Sequence, residues 1–262
     1  VPDEPVTRLI HHGMVINRTI KCPEHGWRYV EEVENGKCKA CGREVVVGAL
    51  EGSFDRLGRR GERHLWKSMG RNEMLSTLRD KGGIDTEAPG TPLNDLLGDR
   101  RDIGILLING VECEPYQRAE ATLLTDKGSE VMEGVAILRK ILSPGRTAIV
   151  TSRRDAPGYS PPPSEESAGV EFVSLDAKYP QDMPRQLLET AEGSRKGPAR
   201  DAIILRPSTA FAVYEAIVLA KPMIERYVTV CGGALMRPAV LKARIGTPIG
   251  DLIEECGGFL GP

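Results

Sequence analysis

Between residues 103 and 220, short apolar runs alternate with stretches of helical periodicity, and that alternation leaves few architectures open. Residues 103–108 (IGILLI) are almost wholly apolar, as a strand buried on both faces requires. Val131, Val135, Leu138 and Leu142 follow at spacings of four, three and four, which predicts an amphipathic helix ended by Ser143, Pro144 and Gly145. Residues 147–151 (TAIVT), 170–175 (VEFVSL) and 202–205 (AIIL) predict three further strands. Ser208 is placed to cap a helix that Lys221 and Pro222 stop. Strands and helices taken in turn favour a parallel sheet covered by helices. Upstream, Leu65, Met69, Leu75 and Leu78 share one side of a predicted helix that Gly82 and Gly83 end. From Tyr227 the texture changes to two strands, a turn and a short helix.

The first 55 residues are different in kind. Cys22-Pro23-Glu24-His25-Gly26 and Cys38-Lys39-Ala40-Cys41-Gly42 are two knuckles with twelve residues between them. Two residues between ligands let a tight turn aim both side chains at one ion, and the glycine behind permits the required backbone. Cys22, His25, Cys38 and Cys41 therefore make a closed Cys₃His set, the usual donor set of structural zinc, with iron in a rubredoxin-like centre as the alternative. A closed set stabilises and does not catalyse.

The 262 residues include six cysteines and carry a net charge of −2, which gives no global attraction to nucleic acid or an anionic membrane. No apolar run approaches the roughly 20 residues that span a bilayer. No signal-peptide pattern opens the chain. These features predict a cytoplasmic protein with reduced thiols. Cys113, Cys231 and Cys256 have no second cysteine at ligand spacing and are expected to be packed thiols. A basic stretch at residues 56–71 adjoins the knuckles, so a zinc-ribbon nucleic-acid module is a competing reading. Trp27 and Tyr29 would stack on bases, and Arg56, Arg59, Arg60 and Arg63 would meet phosphates. Glu31, Glu32 and Glu34 dilute that charge and rank this reading third.

One segment directly follows the first apolar strand: Ile108-Asn109-Gly110-Val111-Glu112-Cys113-Glu114-Pro115-Tyr116. In an open α/β sheet, ligands bind just beyond the carboxyl ends of strands, where this segment falls. INGVECEPY resembles the corresponding segment of the RnfC subunits of ion-translocating ferredoxin:NAD oxidoreductases and, more distantly, of the flavin-binding 51 kDa-type subunit of respiratory complex I. Residues 128–142 (GSEVMEGVAILRKIL), 178–181 (KYPQ), 208–230 and 244–258 (RIGTPIGDLIEECGG) resemble further pieces of that family in the same order. The likeness runs from about residue 64 to 262 and leaves residues 1–55 uncovered.

The resemblance implies an α/β fold: a zinc-ribbon-like module at 1–55, a Rossmann-like domain at 64–225, and the start of a β-grasp (SLBB-like) domain at 226–262. It implies FMN held near Asn109, Glu112, Glu114 and Tyr116, NADH as hydride donor, and iron–sulfur clusters on a further C-terminal part or on a partner. It also implies partner subunits of a redox complex and, through them, a place at the inner face of the membrane. Three pieces depart from the family pattern. The glycine-rich loop of GxGGAGFP type has become residues 82–92, with Asp85 and Glu87 added. The GGE after YPQ has become Asp182-Met183-Pro184, and the Asn-Val before Thr209 has become Pro207-Ser208, preceded by Arg206. Two readings follow: an NADH- and FMN-using electron-transfer subunit, or a flavin-free scaffold whose pocket takes a quinone or another small molecule.

Overall fold

The computed structural model describes residues 18–24, 26–28, 33–35, 37–44, 46–49, 64–86, 91–153, 164–176, 178–192 and 201–261. The chain divides into two compact units, residues 1–61 and 62–262.

The first unit is built from short antiparallel pairings. Strand β1 (Arg18–Cys22) lies between β2 (Gly26–Arg28) and β5 (Val46–Ala49), and β3 (Val33–Glu34) pairs with β4 (Lys37–Cys38). Strand β5 takes up Val46 and Val47 of the apolar run at residues 45–47 and continues to Ala49.

The second unit holds a four-stranded parallel sheet in the order β8-β7-β6-β9, from β6 (Ile105–Gly110), β7 (Arg146–Ser152), β8 (Glu171–Leu175) and β9 (Ala202–Leu205). Ile108 lies opposite Ile149 on one side and Leu205 on the other. Alternation along β6 sorts its side chains between two cores. Leu106 and Ile108 join the main core with Met74, Leu97, Leu138 and Val213, while Ile105 and Leu107 join Val150 and Leu187 on the opposite face. The main core is covered by α1 (Arg71–Asp80), α2 (Leu93–Gly98), α3 (Ala119–Asp126), α4 (Gly128–Leu142) and α6 (Pro207–Val218); α5 (Pro184–Glu192) brings Leu187 to the other face. The expected α/β architecture is thus present. The helix expected to begin near Leu65 opens instead with a 3-10 turn at Trp66–Ser68 before α1. Ser143 ends α4 in the left-handed conformation (φ 48°), the αL cap that the Ser-Pro-Gly stop foreshadows. Among the described residues, no helix is long and apolar enough to cross a membrane.

Two contacts lock the helical layer. Arg71 spreads its guanidinium over the ends of two helices: Nε donates to Ile141 O (2.9 Å), and Nη2 donates to Leu97 O (2.9 Å), Gly98 O (2.8 Å) and Arg100 O (3.0 Å). Ile141, Leu97 and Gly98 lie in the last turns of α4 and α2 and Arg100 just beyond α2, so one planar cation ties the two helix ends together. At the crossing of α4 and α6 a Cβ on Gly134 would lie 1.9 Å from Ala210 O, so only glycine permits the two backbones to approach this closely.

The unit closes with a hairpin of β10 (Glu225–Val230) and β11 (Ala239–Arg244), followed by α7 (Ile249–Glu255). A charged network joins it to α6. Lys221, its side chain 4% exposed, donates to Glu215 (2.6 Å) and to Glu225, and Lys242 reaches the same two carboxylates at 3.3 and 3.0 Å. Burial opposes ionisation of Glu225, but Lys221 and Lys242 outweigh it and hold its carboxyl below the ordinary value.

Replacing Gly134 by alanine should destabilise the protein by an amount at or above the top of the roughly 1–3 kcal/mol typical of overpacking. Gly98→Ala, where a Cβ meets nothing within 4 Å, should be nearly neutral. Equal unfolding midpoints in denaturant for the two variants would show that the helix crossing yields.

Candidate functional site

In the first unit the two knuckles bring three thiols together. Cys22 ends β1 and Cys38 ends β4, both fully buried, and a turn carries the chain to half-buried Cys41. Cys38 N–H donates to Arg43 O and Gly42 N–H to Cys38 O, with Gly42 at φ 69°, so the second knuckle uses the glycine that the motif supplied. The three Sγ atoms lie within 4.8 Å of one another, Cys22 and Cys41 at 3.4 Å. Thiolates about 2.3 Å from one zinc ion stand about 3.8 Å apart at the tetrahedral angle, so the cluster has the dimensions of such a site. A hydrogen bond with the Arg43 backbone lowers the Cys41 pKa, but desolvation and the thiols of Cys22 and Cys38 outweigh it, and the net value is raised. A divalent cation reverses that balance by taking the sulfurs as thiolates. All six cysteines are free of disulfides. His25, the fourth predicted ligand, lies outside the described residues, as do Tyr29 and the basic stretch through Arg63. Of the three thiols expected to be packed, Cys256 is buried, Cys113 is half-buried and Cys231 is exposed, because Cys231 follows β10 into a surface turn.

In the second unit the INGVECEPY segment leaves the carboxyl end of β6, the place that the strand pattern assigned to it. Asn109 is fully buried; its amide donates to Asp182 O (3.0 Å) and accepts from Val111 N–H (3.1 Å). Glu112 is also buried, and its two oxygens accept the N–H groups of Glu120 and Ala121, each at 3.1 Å. Its carboxylate thereby caps the N-terminus of α3, where the exposed helix dipole favours an anion. Glu114 and Tyr116 remain exposed on the loop, and Tyr116 adopts φ 66°, an outlier for a bulky residue. Beside it, Cys113 Sγ faces Lys178 O, and desolvation pushes its thiol pKa up. The segment thus divides into two residues turned inward and two turned outward.

Residues that pattern reading left apart meet at this edge. Pro207 occupies the first turn of α6 and Arg206 its cap position, so Ser208 is inside the helix and does not cap it. Ser208 N–H and Oγ instead donate to the two carboxylate oxygens of Glu120, at 2.8 and 2.6 Å. Thr86 Oγ1 contacts Ser208 Oγ (3.1 Å) and Thr209 Oγ1 (2.7 Å), and Thr209 Oγ1 reaches Asp85 (3.3 Å). Arg206 donates to Val111 O (2.9 Å) and stands 4.0 Å from the Asp182 carboxylate. Desolvation raises the Glu120 carboxyl to about 7, against the Ser208 hydrogen bonds and the charge of Arg206. The three segments that depart from the family pattern thus contact one another or the INGVECEPY segment. Glu120 itself carried no sequence signal, since α3 is short and only weakly amphipathic to the eye.

Comparison with known proteins decides the family. Residues 95–214 match the Nuo51 FMN-binding domain, and residues 227–262 match the SLBB domain. The C-type component of the proton-translocating ferredoxin:NAD(+) oxidoreductase complex of Clostridium ljungdahlii is 29% identical over 203 residues, 74% of this chain and 44% of that protein. The α/β unit belongs to the RnfC-like, 51 kDa-type family. The C-type component of the ion-translocating oxidoreductase complex of Serratia proteamaculans is 30% identical over 200 residues, 73% of this chain and 28% of that protein. The chain therefore spans less than half the length of these relatives. In structure, the NAD+-reducing [NiFe]-hydrogenase in its air-oxidised state aligns with TM-score 0.58 at 16% identity, over 73% of this chain and 40% of that one. The H2-reduced state of that enzyme aligns with TM-score 0.56 at 14% identity. These two share the fold.

Replacing Glu112 by alanine strips the cap from α3 and leaves buried N–H groups unsatisfied, which should lower stability by about 2 kcal/mol or more. Glu114→Ala, on the exposed side of the same loop, should change it by less than about 0.5 kcal/mol. Chemical denaturation of both variants distinguishes the inward from the outward carboxylate.

Proposed function

We propose that this chain is a subunit of an RnfC-like electron-transfer complex, cytoplasmic and held at the membrane face by its partner subunits. What carries the reading is the succession of an FMN-binding-type domain and an SLBB domain, matched over about 200 residues by the C-type components of two such complexes. In this role the α/β unit sits beside redox centres, and iron–sulfur clusters would be carried by a further part of the chain or by partners.

Flavin mononucleotide does not fit the carboxyl edge of this sheet as its residues stand. The N–H of Ser208 at the start of α6, the kind of donor that holds a phosphate, is taken by Glu120. Glu112 holds the N-terminus of α3 in the same way, and buried Asp85 adds a third acid nearby. A phosphate brought here would displace one carboxylate and lie within a few ångströms of others. This favours the second reading, a flavin-free subunit whose α/β unit docks partners, while its outer loop with Glu114 and Tyr116 still offers contacts for a small molecule such as a quinone. NADH has no hydride acceptor in that version. A zinc-ribbon nucleic-acid role ranks third and would show as a salt-dependent gel shift.

Titration of FMN into the protein, followed by quenching of flavin fluorescence, tests the choice. No saturable quenching up to about 50 μM is expected. Saturable binding lost in Glu114→Ala or Tyr116→Ala would return the flavin to this chain.

We also propose that Cys22, Cys38 and Cys41, with His25 as fourth ligand, hold a structural zinc ion. Metal analysis of protein purified without chelator should find about one zinc per chain. Cys38→Ser should abolish it and unfold the first unit while the circular dichroism of the α/β unit persists. Stoichiometric iron, or no metal, would refute zinc.

A further inference from the structure

The starts of α3 and α6, 88 residues apart in the chain, are joined by one acidic side chain. Glu120 stands second in α3 and sets one carboxylate oxygen against each donor of Ser208. Its Oε2 accepts the N–H at 2.8 Å, and its Oε1 meets Oγ at 2.6 Å. Ser208 lies in the first turn of α6, where an N–H has no acceptor within the helix, so this amide depends on Glu120. Neither donor carries a charge, and among the described residues no cation comes within ion-pair distance of Glu120. Arg206 acts on it only through space, since its guanidinium donates to Val111 O and stands 4.0 Å from Asp182. On the other side is a second acid, Glu112, whose Oε1 accepts the N–H of Glu120 itself at 3.1 Å.

An anion in this setting is costly, because it has left water and faces a like charge. The neutral acid is not, and it keeps both contacts. One oxygen still accepts the Ser208 N–H, while the other donates its proton to Ser208 Oγ, whose own proton then turns to Thr86 Oγ1 at 3.1 Å. When the contact parts, Glu120 reaches water and ionises as an ordinary glutamate does, releasing its proton to solvent.

We infer that the Glu120–Ser208 contact is a proton-controlled clasp, which holds the starts of α3 and α6 together most firmly while Glu120 carries a proton and parts more readily once it has lost it. The groups facing Glu120 are Glu112 from the loop after β6, Arg206 from the start of α6, Arg226 from β10 and, beyond Thr209, Asp85 from the loop after α1. Desolvation is the largest influence and raises the carboxyl; the Ser208 hydrogen bonds and Arg206 pull it down, Glu112 raises it again, and the balance is about 7. That value lies above the 4.5 of a free glutamate. The stability that the proton adds is therefore complete below the free value, is lost between it and about 7, and stays lost above. Near neutrality, acidification by one unit should tighten the clasp about fivefold. This holds whether or not the chain carries a flavin, because every group in the clasp belongs to the protein.

Carboxyl-carbon NMR of glutamate-labelled protein, titrated from about pH 4 to about pH 9, should show a signal with a midpoint near 7 that is missing from Glu120→Gln. In Ser208→Ala, which withdraws the hydroxyl that favours the anion, this midpoint should rise. Exchange of the Ser208 amide with deuterated solvent, divided by its intrinsic rate, reads the clasp itself. Its protection should fall by roughly tenfold per pH unit between about pH 5 and about pH 6.5 and level off above about 7. In Glu120→Gln, whose amide accepts the N–H and donates to Oγ as the protonated acid does, protection should stay constant over the same range. A Glu120 midpoint in the ordinary carboxylate range, protection at Ser208 that ignores pH in the wild type, or an equal slope in Glu120→Gln would overturn the inference.

Discussion

A helix that begins beneath other chain segments carries N–H groups that water cannot reach, and this protein has two such helices at the carboxyl edge of one sheet. Both α3 and α6 receive a carboxylate from within the chain: Glu112 for the first, Glu120 for the second. Glu120 stands in the first turn of α3 and reaches α6, so the helix that Glu112 holds is also the one that presents the second anion. The loop before α2 is then fastened to the same point through Thr86 and Thr209. Remove the need for internal anions, as a bound phosphate would, and there is no reason for these acids to lie where they do.

Much of this was legible from pattern. The all-apolar IGILLI run, the four-three-four spacing of Val131 to Leu142 and the apolar span at residues 202–205 marked out the sheet and its main helix, because burial on both faces leaves a plain signature. The two knuckles located the three converging thiols for the same kind of reason, since ligand spacing is set by turn geometry. The arrangement around Asn109 and Glu112 was not legible. A carboxylate that accepts helix N–H groups and one that awaits a ligand are the same letter, and only the neighbouring α3, whose eight residues are too short for periodicity to stand out, separates them. Ser208 illustrates the limit further: Pro207 before it moved the helix start by two positions and changed a cap into a donor for Glu120.

The three segments that depart from the family pattern read separately as losses. In the fold, Asp85 and Thr86 from one, and Ser208 from another, meet at the start of α6, while Asp182 from the third receives the amide of Asn109 and faces Arg206. Substitutions that satisfy one another in this way are consistent with a site rebuilt around protein groups rather than one left to drift.

The helix α6 has charged groups of opposite meaning at its two ends. At its start lies Glu120; beyond its end, Lys221 and Glu215 are drawn out of water and joined to Glu225 and Lys242 of the terminal hairpin. Ions of the surrounding solution barely reach a side chain as enclosed as that of Lys221, so the joint between hairpin and helix is insulated from salt. The hairpin is consequently tied to one end of a helix about 18 Å long whose first turn, at the sheet edge, touches Glu120.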